Sequence, residues 1–269
     1  MPELPEVETT RRGISPHMVN QRIRSVCVRE SRLRWPVPPE LARVCQGSTI
    51  RQIDRRGKYL IFRLDKSALL VHLGMSGSLR VISGNRPPAA HDHLDLVLEN
   101  GLVLRYRDPR RFGAFLLMTE ETHPLLAHLG PEPLDETFNG DYLYDISRKK
   151  KQAIKSLIMD SRRVTGVGNI YACESLFMAG IRPGIAAGRL TRKQATVLVS
   201  AIKKILSAAI ARGGTTLRDF VQEDGSPGYF KQSLMVYGRA GLDCYRCQTP
   251  LREIRQAGRS SVYCPACQS

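Results

Sequence analysis

Acidic side chains are scarce in this sequence. Its 269 residues carry 25 Asp and Glu against 41 Lys and Arg, a formal charge of +16 at neutral pH. Such an excess works against compactness through self-repulsion, so it points to a polyanionic partner. Nucleic acid is the first candidate and an anionic membrane surface the second. Long apolar runs are missing as well: none approaches the ~20 residues that span a bilayer, which counts against a membrane role. The opening Met1-Pro2-Glu3-Leu4-Pro5-Glu6-Val7-Glu8 is acidic and has no apolar stretch, so no export signal is expected there. Internal repeats are absent too. With 42% hydrophobic and 25% charged residues, the composition is that of a globular chain rather than a basic disordered tail. The length allows one large domain or two to three small ones.

The seven cysteines divide sharply. Cys27, Cys45 and Cys173 are scattered in apolar surroundings and read as buried small hydrophobes. Cys244, Cys247, Cys264 and Cys267 form a C-x2-C-x16-C-x2-C array near the C-terminus. Each C-x2-C turn presents two adjacent thiolates, so this spacing suits one structural, tetrahedral zinc ion. Two disulfides or a redox pair are the alternative. The odd cysteine total and the lack of an export signal argue against them and for a reducing compartment.

From about residue 20 to 119 the hydrophobic period is two. Short Val-, Leu- and Ile-rich runs at Gln21–Glu30, Tyr59–Leu64, Ala68–Leu73, Ser78–Ile82, His93–Glu99, Leu102–Arg107 and Ala114–Met118 alternate with turn residues. Asn100-Gly101 predicts a type I′ hairpin. Many short strands of this kind indicate an antiparallel sandwich or barrel. A short helix is expected ahead of it, with Pro5 in its first turn, Glu6 and Glu8 at its positive end and Gly13 as its stop. Residues 132–147 read as a linker. Beyond it the period becomes 3.6, which predicts helices at Lys149–Met159, Ile170–Ala179 (closed by Gly180) and Arg192–Arg212. The last has a Thr191/Gln194 capping box and a Gly213-Gly214 stop. The resulting α+β, multidomain plan is 1–131, a 132–147 linker, 148–235 and a 236–269 zinc module.

Basic residues cluster unevenly. Arg51, Arg55, Arg56 and Lys58 surround one acid, Asp54, and Arg148–Arg163 holds seven Lys and Arg against Asp160, a net +6. Either cluster alone could be a solvated face; beside a zinc module both favour a groove that tracks phosphates. The turn Thr165-Gly166-Val167-Gly168-Asn169 opens a helix with Asn169 as expected N-cap. It is either an ordinary inter-helix turn or an anion-holding helix start. Pro2 has distinctive chemistry available. Removal of Met1 would leave a secondary α-amine titrating near ~8, far more of it free base than a lysine near ~10.4. Such an amine can attack an electrophilic sugar carbon to form an iminium, with Glu3 and Glu6 beside it to move protons. Residue chemistry permits this role without selecting it.

Several segments together resemble the bacterial formamidopyrimidine-DNA glycosylase family, in family order and from end to end. They are Pro2–Glu8, Gly57-Lys58-Tyr59-Leu60, His72-Leu73-Gly74-Met75-Ser76-Gly77, Asp108-Pro109-Arg110-Arg111-Phe112-Gly113, Gly166–Ala172, Gly214–Leu217, Pro227–Phe230 and Gly258-Arg259 through Cys267. The resemblance implies an N-terminal antiparallel β-sandwich with a catalytic N-terminal helix, a helix–two-turns–helix domain, and a C-terminal β-hairpin zinc finger. Damaged double-stranded DNA would lie in a cleft between the halves, which the basic clusters would face.

By the same resemblance Pro2 is the nucleophile at C1′, Glu3 the general acid at the ring oxygen and Glu6 a supporting carboxylate. Lys58 contacts phosphate and the damaged site, and Asn169 and Arg259 clamp phosphates around an extruded nucleotide. Met75, Arg110 and Phe112 fill the hole left in the stack. Without the resemblance, Met75 would be an oddly placed core methionine and Phe112 sandwich core. His72 joins the phosphate contacts rather than the catalysts, and Lys155 and Tyr237 belong to the DNA-contact set. His91 and His93 serve loop structure. Arg218 stands where many members have a lysine linked to reading the damaged base. The implied enzyme is a bifunctional glycosylase and AP lyase, monomeric, cytoplasmic and nucleoid-associated through DNA. The related endonuclease VIII type, directed at oxidised pyrimidines, matches the opening and the His72–Gly77 loop less well. A zinc-ribbon protein that binds DNA without chemistry would share the charge but not need a free Pro2.

Overall fold

The computed structural model describes residues 2–118, 122–216 and 234–269, with the side chains of 214–216 outside the description. The chain forms two compact units, one built on the N-terminal 127 residues and one on residues 128–209 with the C-terminal module.

The first unit opens with helix α1 (Leu4–Met18) and continues as strands β1 (Ile23–Val28), β2 (Ile50–Arg56), β3 (Tyr59–Leu64), β4 (Ala68–His72), β5 (Ser78–Ser83), β6 (Asp92–Leu98), β7 (Leu102–Arg107) and β8 (Ala114–Met118). A short helix α2 (Leu41–Cys45) lies between β1 and β2, and α3 (Pro124–Ala127) ends the unit. The strands make two four-stranded antiparallel sheets, ordered β1-β6-β7-β5 and β2-β3-β4-β8. This is the expected sandwich. Alternation sorts the side chains: Leu60, Phe62, Leu69, Val71 and Phe115 join α1 and the other sheet in the main core. Ile61, Leu70, Leu116 and Met118 point the other way into a smaller cluster beneath Trp35 and Leu125.

Two local expectations change. Gly13 is buried inside α1 and does not end it; a helix-interior glycine costs only about 1 kcal/mol relative to alanine, which packing readily outweighs. Asn100-Gly101 does join β6 to β7, yet only Gly101 has positive φ, at 85°. The Gly101 amide donates to Leu98 O at 3.2 Å, so the loop is a β-turn followed by a left-handed glycine rather than type I′.

In the second unit, residues 132–147 are not an open linker. They hold helix α4 (Gly140–Ser147), capped by the Asn139 side chain, and bury Phe138 and Leu143 completely in the helical core. The helix expected at Lys149–Met159 shrinks to α5 (Ile154–Ile158). Lys149 adopts a left-handed φ of 58°, and the amides of Ile154 and Lys155 donate to Ile185 O and Pro183 O instead of to a preceding turn. Helix α6 (Asn169–Ala179) closes at Gly180 as expected. Helix α7 (Arg192–Thr216) has the Thr191/Gln194 capping box but continues through Gly213-Gly214 to Thr216. Residues Arg192–Gly213 are long and apolar enough to cross a membrane by length and composition. Their apolar stripe of Ala195, Leu198, Val199, Ile202 and Leu206 nevertheless packs into the unit's core. The hairpin β9 (Arg252–Gln256) and β10 (Arg259–Tyr263) completes the C-terminal module.

Candidate active site and nucleic-acid interface

At the start of the first unit, Pro2 is buried and Glu3, only 2% exposed, is the N-cap of α1. The Glu3 amide donates to Glu6 Oε2 at 2.8 Å. Two carboxylates therefore sit at the positive end of a helix, directly after Pro2, where that dipole favours their charge. Glu8, expected to join them at the helix start, does something different. It accepts from Arg11 and Arg12 at 2.8 Å each and from Arg55 at 3.2 Å. Burial pushes its carboxyl up, but hydrogen bonds from Arg11 and Arg12, with the charges of Arg11 and Arg55, hold it at about 2. Arg55 also donates to Gly57 O at 3.1 Å. One guanidinium thus ties α1 to the β2–β3 turn that carries Lys58.

His72 lies across the β3–β4 register from Tyr59, with ring centroids 4.7 Å apart. Burial, followed by the nearby positive charges of Lys58 and Arg34, lowers its pKa to about 4. The Gly74 amide donates to Nδ1 at 3.1 Å, so the neutral ring carries its proton on Nε2. A phosphate contact here would be a hydrogen bond from neutral imidazole rather than an ion pair.

Met75 and Phe112 are among the most exposed large apolar side chains described, at 40% and 41%. Phe112 is therefore not sandwich core. The Arg110 guanidinium lies 4.8 Å from the Phe112 ring centroid, a cation–π arrangement that keeps the pair together at the surface.

In the second unit, Gly168 rather than Asn169 is the N-cap of α6, and Asn169 occupies the first turn. Its Oδ1 is buried without a hydrogen-bond partner. Arg259 begins β10 and is exposed, just after a turn in which Ala257 and Gly258 both have positive φ, 48° and 74°. Positive φ at both central residues makes this two-residue connection a type I′ turn. Lys155, expected among the DNA contacts, is 1% exposed. Its ammonium donates to Ser260 O at 2.8 Å and Ser261 Oγ at 2.6 Å, so it braces the hairpin that presents Arg259. Part of each basic cluster is already paired within the protein. Arg51 pairs with Asp65 at 2.6 Å, and Arg148 donates to Leu190 O at 2.5 Å. Tyr237 is half-buried, and Arg218 lies outside the described residues.

The four array cysteines converge, their Sγ atoms all within 4.8 Å of one another. Neighbouring separations of 3.4 to 4.0 Å suit the edges of a tetrahedron with Zn–S near ~2.3 Å and are far from the ~2.05 Å of a disulfide. Four thiolates fill a zinc ion's coordination and leave no open position, so the ion supplies folding rather than catalysis. Sequence reasoning missed the other anchor of this module. Glu174, 6% exposed, accepts the amides of Met235, Val236 and Tyr237 at 2.8 to 2.9 Å. Cys173 beside it, with Phe177, packs against Val236, Leu251 and Val262 as the buried small hydrophobe expected of it; Cys45 is buried as well, whereas Cys27 is exposed.

Comparison with known proteins matches this geometry to one family. The formamidopyrimidine-DNA glycosylase N-terminal domain model matches residues 1–115, its H2TH domain residues 129–221, and the zinc finger found in FPG and IleRS residues 241–269. Formamidopyrimidine-DNA glycosylases of Thioalkalivibrio sulfidiphilus and Marinobacter nauticus are 59% and 58% identical over the full length of both chains. The chain belongs to the formamidopyrimidine-DNA glycosylase family. It is a DNA glycosylase of base-excision repair, with one structural zinc site. Among solved structures, the Fpg protein of Thermus thermophilus superposes with a TM-score of 0.86 at 40% identity, covering 99% of this chain and 98% of that one. An Lactococcus lactis Fpg mutant bound to Fapy-dG-containing DNA gives 0.90 at 36% over the whole of both chains. For this glycosylase, Pro2, Glu3, Glu6, Lys58, His72, Met75, Arg110 and Phe112 fall in the N-terminal match, Lys155, Asn169 and Arg218 in the H2TH match, and Arg259 with the four cysteines in the zinc finger; Tyr237 lies between matches.

Proposed function

We propose that this glycosylase excises oxidised purines, 8-oxoguanine and formamidopyrimidines, from double-stranded DNA and then cleaves the strand through an iminium at Pro2. The supporting observation is the helix start, where two carboxylates, Glu3 and Glu6, are held directly after the residue whose amine would react. The Pro2 nitrogen lone pair attacks C1′ as the glycosidic C–N bond breaks, and the base leaves with a proton. Glu3 protonates the ring oxygen, the sugar opens, and nitrogen and C1′ become the iminium. Loss of a C2′ proton expels the 3′ phosphate in β-elimination, and δ-elimination then expels the 5′ phosphate.

Reaching C1′ in a duplex requires extruding the nucleotide, at a cost of a few kcal/mol. In this proposal Met75 and Phe112 refill the vacated stack and Arg110 faces the orphaned base. Lys58, neutral His72, Asn169 and Arg259 hold phosphates, with Tyr237 beside them and Lys155 acting through the hairpin it braces. Asn169 sits in the first turn of α6, where its side-chain NH2 would face a phosphate at the positive end of the helix. Arg218 would contact the damaged base. The enzyme would work as a cytoplasmic monomer without a membrane partner.

Blocking the amine tests the reading. An N-terminal extension should abolish strand cleavage while duplex binding persists, and cleavage that survives it would assign the chemistry to Lys58 or another amine. A side-by-side excision assay on oxidised purines and pyrimidines tests the substrate class; faster release of pyrimidines would place the enzyme with the endonuclease VIII type.

A further inference from the structure

Asp108 is fully buried and belongs to none of the roles above. Four donors converge on its carboxylate. Ser76 Oγ donates to Oδ1 at 2.6 Å and the Arg110 amide to the same oxygen at 3.3 Å. The Tyr106 hydroxyl and the Gly113 amide donate to Oδ2 at 3.0 and 2.9 Å. The backbone of Asp108 is held as firmly. Its amide donates to His91 O at 3.1 Å, the Arg111 amide donates to its carbonyl at 3.1 Å, and His93 Nε2 lies 2.8 Å from that carbonyl.

These bonds join two loops that the sequence separates by more than thirty residues. Ser76 follows Met75, and Arg110 and Gly113 flank Phe112, so Oδ1 holds both loops, through Ser76 and Arg110, and Oδ2 holds the Phe112 loop through Gly113. The loops also touch directly. Gly74 has a left-handed φ of 63°, and a Cβ there would overlap the Phe112 backbone; a Cβ on Gly113 would overlap the Tyr106 hydroxyl. Arg111 holds a φ of 55°, a strained conformation for a non-glycine residue that needs surrounding bonds to persist. Burial, and then the charge of Asp108, push the Tyr106 phenol far above its ordinary range, so it stays a donor.

We propose that Asp108 is the positioning residue of the DNA wedge, its carboxylate fixing the Met75 and Phe112 loops as one rigid unit before DNA arrives. The inference rests on the wedge reading above. A wedge ordered in advance does not have to lose loop entropy at each insertion, so it should speed extrusion from a duplex and leave the Pro2 chemistry alone.

The test compares single-turnover excision from a lesion-containing duplex with cleavage of a preformed abasic site in single-stranded DNA, where nothing has to be extruded. Fluorescence of 2-aminopurine opposite the lesion reports insertion. Asp108→Asn and Ser76→Ala should each slow duplex excision tenfold or more and blunt the fluorescence step, with single-strand cleavage within twofold of wild type. Ser76→Ala removes one half-buried hydroxyl and carries the test if Asp108→Asn fails to fold. Unchanged duplex excision, or equal losses on both substrates, would overturn the proposal. Phe112→Ala separates the two ideas. If it alone slows duplex excision, the wedge stands and the Asp108 inference falls; if it too has no effect, the wedge reading itself fails.

Discussion

Replacing Glu174 with glutamine should loosen the C-terminal module without touching a zinc ligand. The carboxylate is almost wholly buried and accepts three successive amides, two on Oε1 and one on Oε2. Glutamine keeps one acceptor oxygen, but its NH2 group must then face a backbone N–H. One charge-assisted bond is lost outright, and the other two fall from charge-assisted to neutral strength. With charged hydrogen bonds contributing about 1.5–3 kcal/mol and neutral ones about 0.5–1.5, the loss comes to roughly 5 kcal/mol. For a unit of this size that lowers the melting temperature by roughly 15 °C. Calorimetry measures the shift, and release of zinc to a chromogenic chelator locates it in the module. A melting temperature within about 2 °C of wild type, with unchanged zinc release, would show that the carboxylate is not what holds residues 235–237.

Three further outcomes follow from the same geometry. The imidazole resonances of His72 should titrate near 4 rather than 6.5. The unfolded chain then binds a proton that the native chain refuses as pH falls from 6.5 towards 4, so His72 should cost at most about 3 kcal/mol of stability across that window; a resonance titrating near 6.5 would contradict its burial beside Lys58. Cys247→Ser should abolish stoichiometric zinc binding and expose residues 234–269 to protease, as a structural four-thiolate site requires, and full zinc content in the variant would refute the assignment. Lys155→Met should lower stability by about 1–3 kcal/mol, since it strands Ser260 O and Ser261 Oγ. If Lys155 contacts DNA directly, stability will hold and the salt dependence of DNA binding will weaken by about one phosphate contact instead.

What could be read from the sequence was whatever short-range chemistry decides. Period-two alternation located seven of the eight strands of the sandwich, the Thr191/Gln194 pair marked the start of α7, and the cysteine spacing identified the zinc site. Gly13 misled because a buried helix tolerates one glycine. Lys149–Met159 misled because the amides of Ile154 and Lys155 are taken by Ile185 O and Pro183 O, tertiary partners that no local period reveals. The site divides in the same way. Pro2, Glu3 and Glu6 are neighbours in sequence and remain so in space. Lys155 looked like a surface cation because its partners, Ser260 and Ser261, lie more than one hundred residues away. Glu174 was unreadable for the same reason, a buried acceptor whose donors lie 61 to 63 residues away, and Asp108 was unreadable in part because Ser76, which ties it to the Met75 loop, lies 32 residues away. Phe112 went the other way, an aromatic that composition would bury and the loop structure exposes.

If the amine of Pro2 does the chemistry, borohydride reduction during turnover captures it. The reduced adduct with lesion-containing DNA should form in good yield and map by peptide mass spectrometry to the N-terminal residue, and it should vanish when the N-terminus is blocked. An adduct on Lys58, or none at all while the strand is still cut, would contradict the account.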